Sequence, residues 1–218
     1  MKKIIASLLA SAALVAPVSA DPLKDSEYFT MHSMGCMLLQ ECTDEVKQVY
    51  NILDISSQYS NTDSFYSVAT EFNNMLNSLE MIGVKVFLAD QKYFPVGHRG
   101  VYHTVGNNFF LNKEFMGRPN VLMSVMRHEG WHAAQDCMAG TIDNSLIAII
   151  KPENEVPMLW SGIVESTYPE SVWPWEKEAT WAGKTEGMTS KALMACAKGN
   201  MWKVYEPTPL TREYLVKE

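Results

Sequence analysis

Residues 128–132 read His-Glu-Gly-Trp-His, and no other segment narrows so far what the chain can become. Residues four apart are neighbours on an α-helix, with Cβ atoms about 6 Å apart. Two imidazoles placed that way can reach one metal ion at ~2.0–2.1 Å each. Glu129 projects from the neighbouring face, where it can touch a metal-bound water without ligating the metal. The chain holds 5 His, and composition alone would produce this pattern roughly 0.01 times in such a chain. The competing reading, two ordinary histidines on a helix, is therefore the weaker one. The spacing predicts a metal-bearing helix.

The surroundings suit an exported globular protein. Met1-Lys2-Lys3 is a basic start, Ile4 to Val15 a short apolar stretch, and Val18-Ser19-Ala20 a small-residue cleavage site. Residues 1–20 thus look like a secretory signal peptide, leaving 21–218 as one domain in the bacterial periplasm or outside the cell. No later apolar run approaches the ~18 residues of a membrane span. With 18 basic and 25 acidic residues in the whole chain, the expected net charge after cleavage is about −9, which argues against nucleic acid and anionic lipid as partners. Oligomeric state is not readable.

All four cysteines lie beyond residue 20. An even count in an exported chain points to two disulfides, and three pairings are open. Cys36–Cys42 as a local clip and Cys137–Cys196 as a staple between two helices are favoured here. Closely paired thiols of the C-x-x-C kind, which zinc would need, are absent.

Periodicity gives an α+β order: helices, a small sheet, then helices. Residues 21–40 carry no firm assignment. Thr43-Asp44-Glu45 reads as a helix start, with Val46, Val49, Tyr50 and Leu53 on one face. Asp63 caps a second helix, running to Gly83. Val84–Ala89, Gly100–Val105 and Phe109–Leu111 read as strands, the last two joined through Gly106-Asn107-Asn108. A long helix spans Asn120 to Met138 and stops at Gly140. Lys151 to Val172, with three prolines, reads as loop. A last helix opens near Pro174 and continues to Ala197, with a break at Gly187.

Catalytic zinc usually has three protein ligands plus water. His32, His98 and His103 all lie upstream, and Gln135 and Asp136 follow where a continued H-x-x-G-x-x-H would place its next residues. Downstream, Trp175-Glu176-Lys177-Glu178-Ala179-Thr180 puts two glutamates at a helix start, where the helix dipole would favour acidic residues in any case. Either glutamate is a candidate ligand.

This combination resembles the gluzincin metallopeptidases, in which HExxH is followed by a helix carrying E-x-x-A-x and the third ligand is a glutamate; in many of them that motif reads ExEAD, with its first Glu on zinc. The resemblance implies His128, His132 and Glu176 as ligands of Zn²⁺ and Glu129 as catalytic base. It departs at Thr180, where those proteins carry an Asp that bonds a ligand histidine, and Glu178 stays the rival ligand. Residues two apart on a helix point about 200° apart, so only one can face the metal. Glu178 is expected to face away, toward solvent beside Lys177, while Ala179 lets the helix pack closely. The resemblance also implies a minimal zincin-like domain, a small mixed sheet whose edge strand holds an extended peptide. It covers roughly residues 63–185.

The implied reaction is hydrolysis of peptide bonds, with peptide or protein substrates. Zinc acidifies water and polarises the carbonyl, Glu129 shuttles the proton, and an oxyanion donor is needed. Tyr168 is the first candidate donor and His103 the second. The six tryptophans and the methionines read as core and pocket lining. A catalytically silent metal-binding or interaction protein on the same scaffold is the alternative function, and a disulfide-stapled structural protein is a third.

Overall fold

In the computed structural model, residues 29–42, 45–140 and 147–206 are described. The proposed signal peptide, Thr43 and Asp44 lie outside them. The fold is mixed α+β, with eight α-helices and one four-stranded sheet among the described residues.

The sheet comprises β1 (Val46–Gln48), β2 (Lys85–Ala89), β3 (Gly100–His103) and β4 (Asn108–Asn112) in the order β1-β2-β4-β3. β2 and β4 run parallel in the register Lys85↔Asn108 to Ala89↔Asn112, and the outer pairs are antiparallel. Side chains alternate between faces. Val86, Leu88, Phe109 and Leu111 belong to the main core, whereas Phe87, Ala89 and Phe110 join a smaller cluster with Met37, Tyr93 and Phe94. Both faces are covered, so β4 is buried along its whole length. The turn to β4 uses Asn107 at φ 50, a left-handed position that Asn tolerates.

Helix α1 (Met31–Leu38) contributes Met37 to the smaller cluster, and α2 (Ile52–Ser56) and α3 (Ala69–Met81) border the main core. The central element is α4 (Pro119–Met138), with Pro119 in the first turn and Gly140 at φ 87 just past its end. Helices α5 (Met158–Thr167), α6 (Trp173–Lys184), α7 (Met188–Ala197) and α8 (Met201–Val204) follow. α4 packs against α3, α6, α7 and β3, so it is buried on nearly every side. Cys36–Cys42 and Cys137–Cys196 are both bonded, with Cα separations of 5.3 and 6.2 Å. The second ties α4 to α7. Two such bonds indicate an oxidising environment. Among the described residues no helix is long and apolar enough to cross a membrane.

Three sequence expectations need correction. Residues 45–53 are not a helix: Glu45 sits at φ 59, Val46–Gln48 form β1, and a new helix starts only at Ile52. Asn51 caps it by accepting from Leu53 N, while Asp54 returns to Asn51 N. This capping box is the signal that outranks the apolar spacing, and Tyr50 and Leu53 are exposed. Asp63 does not cap α3, because Thr62–Val68 are a 3₁₀ segment leading into it. The stretch 151–172 contains α5; Pro157 is its N-cap residue and Pro169 follows its end, so the prolines punctuate a helix. The break at Gly187 is present, with Gly187 at φ 77.

Candidate metal centre

α4 carries His128, Glu129 and His132, and α6 brings Glu176 to them. His128 Nε2 and His132 Nε2 are 3.3 Å apart. Glu176 Oε2 lies 3.3 Å from His128 Nε2, and Oε1 lies 3.5 Å from His132 Nε2. An ion held tetrahedrally at ~2.0–2.1 Å separates its ligand atoms by about 3.3–3.4 Å. The two histidine nitrogens stand one such edge apart, and each has a Glu176 oxygen, a different one for each, at about that distance. Glu176 Oε2 is also buried without a hydrogen-bond donor, a costly state that a cation would relieve. The donor set and its spacing fit a metal ion.

Charge follows the geometry. Burial pushes the Glu176 carboxyl up, but His128 and His132 outweigh it and hold the group well below the usual carboxylate range. Burial pushes His132 down, but Glu176, Glu129 and Gln135 raise it to about 9. The site is built to hold positive charge.

α6 comes this close because its inner side is small. Ala179 is fully buried, as expected. One turn further, a Cβ on Gly183 would stand 3.1 Å from Ser124 O and 3.2 Å from His128 Cβ. Sequence reading missed Gly183, which sits four residues beyond Ala179 on the same side.

Glu129 is nearly buried, and its Oε2 accepts a hydrogen bond from Tyr102 N at 3.0 Å. Tyr102 is on β3, the sheet edge, so the carboxylate occupies an outward-facing N–H of that edge. The Tyr102 hydroxyl donates to Asp136 Oδ2 at 2.7 Å, which fixes the strand against α4. Tyr168 is the C-cap residue of α5 and part-exposed. Burial, then the charges of Glu176 and Glu129, push its phenol up to about 12. It is near the site and protonated at neutral pH. His103 is placed differently. Alternation puts it on the Val101 face rather than the Tyr102 face, and its Nδ1 is enclosed beside Gly106 and Asn108. His103 is not brought to the triad.

The expectation that Glu178 and Lys177 face solvent is overturned. Glu178 is fully buried: its Oε1 accepts from Ile150 N at 3.1 Å and from Gln135 Nε2, and its Oε2 from Lys151 N at 2.6 Å. Burial raises it to about 7 against these bonds. Lys177 is buried on another side of α6, paired with Glu153 at 2.6 Å and Glu165 at 2.8 Å. The two residues look like a solvated charge pair in sequence, yet each has its own buried partners. Gln135, also missed, meets His132 Nδ1 at 2.7 Å through its Oε1. Its sequence signal was its place three residues past His132, one turn on.

Comparisons with protein-family models, with curated proteins and with solved structures found no match for this chain.

Proposed function

We propose that the protein is an exported zinc-dependent peptidase of the gluzincin type, on a zincin-like scaffold, with His128, His132 and Glu176 as metal ligands. The observation that carries this reading is the His128–His132–Glu176 cluster, whose donor atoms lie within 4.8 Å of one another, with Glu129 on the same helix. Two imidazoles and one carboxylate are the donor set of a catalytic zinc site with an open position. Zinc, when bound, supplies Lewis acidity that activates water and polarises a carbonyl.

The chain's own residues supply the rest. Glu129 takes the proton of the attacking water and delivers it to the leaving amine. Its Oε2 accepts a hydrogen bond from Tyr102 N. An extended peptide adding to the β3 edge would offer that N–H a carbonyl instead and release the carboxylate. Tyr168, kept protonated by its surroundings, is the candidate donor to the developing oxyanion. Peptides or proteins are the substrate class.

The hold of Tyr102 N on Glu129 also suits the alternative, a metal-binding protein without catalysis. One experiment separates them. Zinc-loaded wild type and Glu129→Ala are offered a peptide library, with metal content measured in both. The peptidase reading expects equal zinc and loss of hydrolysis in the variant. No cleavage by the zinc-loaded wild type, or equal cleavage by both, would sink it.

A further inference from the structure

We propose that Gln135 and Glu178 are positioning residues that fix which nitrogen of His132 offers its lone pair to the metal. The proposal rests on the metal-binding reading of the triad and is independent of peptide hydrolysis.

Three N–H donors converge on the two oxygens of Glu178: Ile150 N, Lys151 N and Gln135 Nε2. These bonds favour the ionised, purely accepting form of Glu178 against the burial that raises it to about 7. The amide nitrogen of Gln135 must face it, and that nitrogen also donates to Trp175 O at 3.3 Å. Flipping the amide would set its oxygen against a carboxylate and a carbonyl together, in a buried place. Gln135 Oε1 is thus turned to His132 Nδ1 at 2.7 Å. An amide oxygen only accepts, so Nδ1 carries the hydrogen and Nε2 of the neutral ring keeps a free lone pair. Nε2 is the atom that faces His128 and Glu176.

The network is sealed from water. Gln135 and Glu178 are fully buried and His132 is 7% exposed. Nor does Glu178 serve to neutralise a nearby lysine. Lys177 Nζ is taken by Glu153 and Glu165, Lys151 Nζ by Glu155, and Lys151 meets Glu178 through its backbone alone. Of the carboxylate's polar neighbours, Gln135 is the one that leads on to His132. Outer partners of metal-ligating histidines usually orient the ring in this way. Here the task falls to residues that share helices with the ligands, three past His132 and two past Glu176.

The test uses the full chain and zinc itself, with affinity read by competition against a chromogenic chelator. Glu178→Gln lets the Gln135 amide turn either way, and Gln135→Glu sets two carboxylates together. Each single variant is expected to bind zinc about 10–100-fold more weakly. The double variant restores an acceptor at residue 135 held by an amide at 178, and should recover most of that loss. Melting of the metal-free proteins separates a purely structural role, which would lower stability and leave zinc affinity unchanged. Long-range ¹H–¹⁵N spectra of the zinc-loaded wild type need no variant, and should place the His132 proton on Nδ1. A proton on Nε2, wild-type affinity in both single variants, or a double variant no better than the singles would overturn the proposal. A wild type that binds no zinc would instead remove the triad reading beneath it.

Discussion

At the scale of single residues, His132 Nε2 is where a proton would compete with an ion held by the triad. Its folded-state pKa, about 9, lies above the ordinary imidazole value of 6.5. In the metal-free protein, that contribution to stability is fully present below 6.5 and is lost as pH rises through 9. A metal must displace the same proton, so zinc uptake should release protons and apparent affinity should climb across pH 6.5–9. Zinc competition titrations across that range check this, and a flat profile would contradict it. That His128 and His132 meet on one face of α4 was legible from helical spacing. Glu176, which the structure sets beside them, was singled out from Glu178 only through resemblance. Gln135 and Glu178 were not legible, since burial is a property of the partners: Ile150 and Lys151 approach from a segment whose path no spacing predicts.

At the scale of elements, the centre depends on how near α6 comes to α4. Replacing a helical glycine by alanine ordinarily gains about 0.5–1 kcal/mol. At Gly183 the new methyl meets Ser124 O, a backbone atom that cannot swing aside, and His128 Cβ. Overpacking of this kind costs roughly 1–3 kcal/mol and outweighs the propensity gain. Gly183→Ala should therefore melt lower than wild type and bind zinc more weakly, because α6 carries Glu176. A variant more stable than wild type with full zinc affinity would contradict this close-packing account. The elements read correctly were those with long, uninterrupted periodicity, such as α4. Short elements were misread for definite reasons. β1 has three residues and pairs only at one edge, and the prolines of 152–169 hid α5 because their positions around a helix resemble those of a loop.

At the scale of the whole molecule, the two disulfides and the triad lie in one framework. Cys137 is five residues past His132, and its bond to Cys196 closes a loop of 59 residues, worth about 4 kcal/mol by loop-closure entropy. It secures the end of α4 against α7, while α6, between them in sequence, brings Glu176 to the two histidines. The mixed α+β class and both cysteine pairs were readable in advance. The order β1-β2-β4-β3 was not, because it depends on a parallel pairing between strands 19 residues or more apart. Everything proposed for function rests on three side chains holding one ion. The direct measurement is zinc per chain after exhaustive dialysis, in wild type and in Glu176→Gln, with the fold of each verified by circular dichroism. The account predicts one zinc per wild-type chain and a nearly empty, folded variant. No zinc in the wild type, or equal zinc in both, would contradict it.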